Sequence, residues 1–180
     1  GLLFRASYSE GVRVQTLPQI NAGETRRVLG ATDWYRCHAL VAKGDIVSLG
    51  ACGADGVVSV ESSRSGSKDL RPEEFRSMTA GLVWTPAAVD SLTLTLDYWE
   101  ISQERIVGLF GAENHVAVDY VSRLAGSASP FVQRAPVTAD DIAAYAGSGL
   151  APAGVVIRVL DPYQNLDRRD SAGLDPSLSY

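Results

Sequence analysis

The chain has 180 residues, 46% hydrophobic and 21% charged, a globular balance that excludes wholesale disorder. A formal net charge of -5 and a pI near 5.0, with Lys and Arg scattered along the chain, exclude the basic field needed to grip nucleic acid. No run approaches the roughly 18 to 20 consecutive apolar residues of a spanning helix. That excludes a helical membrane protein and leaves a membrane barrel open, because barrel strands are apolar only at alternate positions.

The chain opens inside a strand pattern, "GLLFRASYSEG", with no initiator Met and no readable signal peptide, and it ends in mid-alternation at "LDPSLSY". A piece of something longer is therefore expected. Over residues 2–9, Leu2, Phe4, Ala6 and Tyr8 share one face, and Leu3, Arg5, Ser7 and Ser9 share the other. A long loop then spans about residues 10–70. In it, Cys37 and Cys52 lie in a Gly-rich, polar stretch, and His38 is too close to Cys37 in sequence to share a metal with it. A loop disulfide in an oxidising compartment, worth about 3 kcal/mol in the chain-entropy model, is favoured over two unpaired thiols.

A second strand is expected at residues 74–85, with Met78, Ala80, Leu82 and Trp84 against Ser77, Thr79, Gly81 and Val83. After a short turn at 86–90 comes a third, 91–105, in which "SLTLTLDYWEI" sets Leu92, Leu94, Leu96 and Tyr98 against Thr93, Thr95, Asp97 and Trp99. A second long loop, about 106–153, contains "ADDIAAYA", a helix with Thr138 as cap, Asp140 and Asp141 in its first turn and Gly147 beyond its end. Residues 112–126 are a weaker helical candidate. The fourth strand, 155–180, is less regular: Leu174, Leu178 and Tyr180 alternate with Gly173, Asp175, Ser177 and Ser179, and Pro176 predicts a bulge or weak pairing. Arg168 shares parity with Leu174, so either the register shifts between them or Arg168 lies above the apolar band.

Loops longer than about 15 residues are uncommon in compact domains. Two of them, separated by one short turn, leave the same end of an up-and-down sheet. Outer-membrane barrels have this asymmetry of short turns and long loops.

No pattern points to catalysis. His38 and His115 are expected as solvated loop residues, with no Ser in a nucleophile-elbow context. The acidic pairs Glu73–Glu74 and Asp140–Asp141 are consecutive, whereas acid/base work needs carboxylates in different environments across a cleft. "GSGLAPAG", residues 147–154, has no following Lys and reads as a flexible loop. Arg5, Arg168 and Arg169 are the residues suited to meeting an anionic ligand. No enzyme activity, catalytic residue, metal site or cofactor is expected.

The run "DLRPEEFRSMTAGLVWTPAAVDSLTLTLDYWEISQERI" resembles the barrel segment of TonB-dependent outer-membrane receptors. "RASYSEGVRVQTLPQI" resembles the same family's strand leading to a G-F-R-x-P turn, with Val12 and Gln15 in place of the usual Phe and Pro. "YQNLDRRDSAGLDPSLSY" resembles its N-x-G strand, with Asp167 in place of the Gly and Pro176 at an apolar position. The three matches follow the family's order and cover about half the chain.

The resemblance implies an all-β fold: an antiparallel up-and-down meander of about four long strands from a transmembrane barrel, with two long extracellular loops holding one or two short helices. It implies residues 1–180 as part of the barrel domain, without the plug. It also implies a receptor that binds a siderophore, cobalamin, carbohydrate or peptide at the loops and imports it by TonB-coupled transport. The partners would be that ligand, outer-membrane lipid, the rest of the barrel and plug, and the TonB complex, in the outer membrane of a Gram-negative bacterium. Two other readings stand beside it. A secreted soluble β-rich binding domain would cover Met78, Leu82, Leu92, Leu94 and Leu96 with a second sheet, and a porin-type barrel would lack an upstream plug.

Overall fold

Strict alternation turns into four long strands, and the two connections fold as well. The computed structural model describes residues 1–89 and 91–180, so position 90 of the expected turn lies outside the described residues. In chain order the elements are β1 (Leu2–Arg13), α1 (Leu17–Asn21), β2 (Thr25–Thr32), α2 (Trp34–Lys43), α3 (Cys52–Asp55), β3 (Val57–Arg64), β4 (Glu73–Trp84), β5 (Thr93–Glu104), β6 (Val107–Leu109), α4 (Ala112–Leu124), β7 (Val132–Arg134), α5 (Ala139–Tyr145), β8 (Val156–Leu160), β9 (Tyr163–Asn165) and β10 (Arg169–Ser179). They divide into two units. One comprises Gly1–Thr16, Asp69–Gly108 and Asn165–Tyr180; the other, called the loop module below, comprises Leu17–Lys68 and Leu109–Gln164.

The first unit is an antiparallel meander of order β1-β4-β5-β10. Its ladders run without interruption from Leu2↔Trp84 to Arg13↔Glu73, from Trp84↔Leu94 to Glu74↔Glu104, and from Ser179↔Thr93 to Arg169↔Gln103. An unbroken register keeps every apolar residue on the face its parity assigns. Pro176 pairs in register with Leu96 and makes no bulge, which its place on an edge strand allows. At the far end Asn165 ties three segments together: its Oδ1 accepts from the Arg71 N–H at 2.7 Å, and its Nδ2 donates to the carbonyls of Arg71 and Arg105 at 2.8 and 2.7 Å.

The loop module is built on a four-stranded sheet of order β2-β3-β8-β7. The first long connection supplies β2 and β3 and the second supplies β7 and β8, joined by a parallel pairing of β3 with β8, Glu61↔Arg158 to Ser63↔Leu160. Ala31, Val60, Val116, Val132, Val156 and Val159 form its core, with α4 contributing Val116. A second cluster packs Tyr35 and Ala39 of α2 against Tyr145 and Ala153.

This corrects three expectations. The two loops are one co-folded module and not separate excursions. Five α-helices form among the described residues, where one or two short helices were expected. The expected fourth strand, 155–180, is broken at Asp161–Pro162: β8 belongs to the module, because Val156 and Val159 are buried in its core, and only β10 pairs with β5.

Candidate functional site

The two faces of the meander differ as the sequence demands. Counted from the short-turn end, the rows on one face are Leu2/Trp84/Leu94/Leu178, then Phe4/Leu82/Leu96/Pro176, then Ala6/Ala80/Tyr98/Leu174, then Tyr8/Met78/Glu100/Ala172. At roughly 3.4 Å per residue these rows extend about 20 Å along the strands. The face is uncovered: Phe4 is 69%, Leu174 62% and Leu178 68% exposed. Where the band ends, the Tyr8 hydroxyl donates to Glu10 and the Tyr98 hydroxyl donates to Glu100, each Tyr keeping its ring on the apolar side and its oxygen on the polar side.

The opposite face is a network of polar side chains. Arg5 reaches across β4 to Asp97, with its Nε and Nη2 at 3.1 and 2.6 Å from the carboxylate. It passes over Gly81, where a Cβ would collide with the Asp97 carboxylate and come within 2.8 Å of the Arg5 Nε. Ser7 and Thr79 hydroxyls pair at 2.7 Å. The Trp99 indole packs against Gly173, where a Cβ would meet the ring at 2.6 Å. Toward the long connections, the buried Glu73 carboxylate accepts from Arg13 at 2.8 Å and from the Val107 N–H at 2.6 Å.

Within the loop module a buried ion network joins the two connections. Asp33, the N-cap of α2, accepts from the Arg36 N–H at 3.2 Å and takes two bonds from Arg134, at 2.8 and 2.9 Å. Arg134 also donates to Asp119 at 3.0 Å and to the Gly154 carbonyl at 3.0 Å. Asp119 receives Arg123 at 2.9 Å and the Ser129 N–H at 3.1 Å. Burial works against the Arg134 charge, but hydrogen bonds and attraction from Asp33 and Asp119 outweigh it and raise its pKa. Arg36 holds Asp141 at 2.5 Å, and the Thr138 backbone N–H, Arg36 and the Thr138 hydroxyl together bring the Asp141 carboxyl down to about 2.

The residues singled out in the sequence fall in the following environments. Cys37 and Cys52 are bonded to each other, Cα atoms 5.8 Å apart, and both are buried. His38 is half-buried and meets the Tyr120 hydroxyl at 3.2 Å. His115 is not a solvated loop residue: it is 3% exposed, on the inner side of α4, between the rings of Phe110 and Phe131 and 3.4 Å from Asp161. Burial pushes its pKa down, with Asp161 opposing. Glu73 and Glu74 lie on opposite faces of β4, and Asp140 is exposed while Asp141 is buried. In the 147–154 segment, Gly147 and Gly149 take φ of 78° and 76°, and Ala153 is packed in the second cluster. Among the described residues no group of three or more His, Cys, Asp or Glu is placed to hold a metal ion.

Arg5 lies on the polar face within the meander, Arg169 opens β10 on that same face, and Arg168 lies just before β10, above the apolar band, with no shift of register. Apart from the Asp119–Arg123 spacing on α4, no local pattern announces the Asp33–Arg134–Asp119 network. The module also has a cleft of about 380 Å³ to which both connections contribute, lined by Glu24, Ser63, Ser65, Phe131, Arg158 and Leu160. There a hydrogen bond from Arg26 and one from Ser63 lower the Glu24 carboxyl to about 2. A cleft with an aromatic wall and both signs of charge can orient a small polar ligand.

No family model matches the chain, and no curated protein sequence matches it. Among solved structures it is similar to the siderophore receptor PirA from Acinetobacter baumannii, at 10% identity and a TM-score of 0.48, over 98% of this chain and 18% of that one. It is also similar to the siderophore receptor PirA from Pseudomonas aeruginosa, at 12% identity and a TM-score of 0.45, over 98% of this chain and 22% of that one. The chain thus spans about a fifth of the length of these receptors.

Proposed function

We propose that the chain is part of an outer-membrane receptor of the TonB-dependent kind, which takes up a small extracellular ligand by energy-coupled transport. The single observation that carries this reading is the unbroken meander with an uncovered apolar face on one side and a hydrogen-bonded polar face on the other. Its strands of 11 or 12 residues are long enough to cross a bilayer, which takes about 9 to 11 tilted residues. Lipid meets Phe4, Leu82, Leu96 and Leu174, while Arg5, Ser7, Thr79 and Asp97 line a hydrated interior. Both long connections leave from the end away from the short turn, and the cleft in the module they build is a contact point for a ligand of the siderophore, cobalamin, carbohydrate or peptide class. The wall strands hold the frame. No covalent step is assigned to this segment.

The remaining barrel strands and a plug would complete the pore, because β1 and β10 leave open edges and unsatisfied peptide groups in hydrocarbon cost several kcal/mol each. A secreted soluble domain would need cover for the apolar face, and Met78, Leu82 and Leu96 stay 39 to 46% exposed. The test is electrophoresis of outer-membrane fractions, boiled and unboiled, probed with an antibody to residues 69–106. A large, heat-modifiable band is expected. A soluble band near the 19.2 kDa of this chain would overturn the reading in favour of the soluble domain.

A further inference from the structure

The cleft of the loop module and the buried His115 have one side chain in common. Phe131 lines the cleft and is partly exposed there, and its ring lies 4.9 Å from that of His115, tilted by 36°. Phe110 meets the same imidazole edge-on at 5.0 Å. The Phe131 backbone is fixed, because its N–H donates to the Ser129 hydroxyl at 3.3 Å and its carbonyl accepts from the Leu160 N–H at 2.8 Å. The side chain is the part that can turn, and His115 is packed behind it. His115 Nε2 stands 3.4 Å from Asp161 Oδ1 without closing a hydrogen bond, and Asp161 Oδ2 and Arg64 Nε, 3.4 Å apart, are likewise buried and unbonded. A leucine would fill the space between two phenyl rings without a buried, unbonded nitrogen, so packing alone does not account for a histidine here.

We propose that His115 is a positioning residue for the cleft, operated by a proton: its neutral ring holds Phe131 in the wall and its protonated ring lets that wall open, a role that rests on the reading of the cleft as a ligand contact. The charged imidazole is not stabilised where it stands. The ring is 3% exposed, and burial outweighs the pull of Asp161. The surrounding charges do not help. Arg64 faces Asp161 and repels a second cation, Asp119 one turn along α4 is held by Arg123 and Arg134, and Glu113 is occupied by the Thr32 N–H. In the cleft, Glu24 is paired with Arg26, and Arg158 with Glu61. A proton is therefore taken up as the ring gains water, and Phe131 is the side chain that His115 shares with the solvent-filled cleft. Uptake and opening are one equilibrium, placed by the imidazole in the mildly acidic range. By linkage, a ligand packed on Phe131 makes protonation harder, and acid weakens that ligand by the same factor.

The test places 4-fluorophenylalanine at position 131 of the intact protein, and in a second sample at position 4, on the apolar face of the meander. The fluorine resonance and its broadening by a soluble nitroxide are followed from about pH 7.5 down to about 5. At position 131 both are expected to change along one sigmoid with its midpoint below about 6.5, the broadening increasing as the ring meets water. Position 4 should stay flat, and so should position 131 in H115Q. A flat trace at 131 in the wild type, or the same sigmoid in H115Q, would overturn the proposal. D161N gives a second reading should H115Q not fold. Removing the carboxylate that favours the imidazolium should move the midpoint to lower pH, and an unmoved midpoint counts against His115 as the titrating group. The readout needs neither bilayer nor ligand, so it succeeds or fails separately from the electrophoresis that tests the receptor reading.

Discussion

A side chain at position 81 would fill the space through which Arg5 reaches Asp97. Gly81→Val should lower the unfolding midpoint, and the loss should be clearly smaller in an Arg5→Ala background, where the crossing side chain is gone. A thermal double-mutant cycle checks this coupling, and additive losses would sever the two positions. Arg134 is the opposite case, a charge whose removal leaves others stranded. Arg134→Met leaves Asp33 and Asp119 buried with too little counter-charge, which typically costs about 3–5 kcal/mol. Urea unfolding followed by the fluorescence of Trp34, next to Asp33, measures it, and a loss under about 1 kcal/mol would contradict the buried-network account. His115 gives the module a pH dependence of definite sign. Its folded pKa lies below the unfolded value of about 6.5, so the unfolded chain takes the proton first. Stability is full above that value and falls as pH drops through it. His115→Gln should flatten the slope just below about pH 6.5.

At the scale of elements, capping and cross-linking decide more than propensity. The α5 helix starts on a capping box, with Asp141 N–H donating to the Thr138 hydroxyl and Thr138 N–H donating to Asp141. Thr138→Ala should cost about 1 kcal/mol. The Asp141 carboxyl, held at about 2, contributes stability above its unfolded value of about 3.9, and that contribution is lost between pH 4 and pH 2. The Cys37–Cys52 bond closes 15 residues between α2 and α3. A C37S/C52S variant should lose about 3 kcal/mol, read as a lower urea midpoint that matches the reduced wild type.

What was legible follows from chain periodicity. Leu92, Leu94, Leu96 and Tyr98 alternate long enough to announce a strand, and Thr138 with Asp141 announce a helix start. The module's strands were hidden, because β7 and β8 have only 3 and 5 residues and the pairing of Glu61 with Arg158 leaves no mark on either segment. Asp33 and Arg134 are 101 positions apart, so their contact depends on a sheet that itself was not readable. His115 was misjudged for a related reason: it looks polar in a string, while its neighbours Phe110 and Phe131 are brought to it by folding.

For the whole molecule, the division of labour is between a wall with two unlike faces and a module assembled from both of its long connections. The wall was foreseen because its face pattern repeats in three of four strands. The module's unity was not, because nothing in a loop's composition reveals a shared sheet. That shared sheet has a consequence for biogenesis. When the polypeptide is made from its N-terminal end, β2 and β3 emerge long before β8, and the edge of β3 at Glu61–Ser63 stays unpaired until the segment after Gly154 arrives. For that interval the half-built sheet is an open template with Val60 uncovered. Until β8 pairs with it, that edge is open to pairing with a neighbouring nascent copy, and no sequence-local turn closes it.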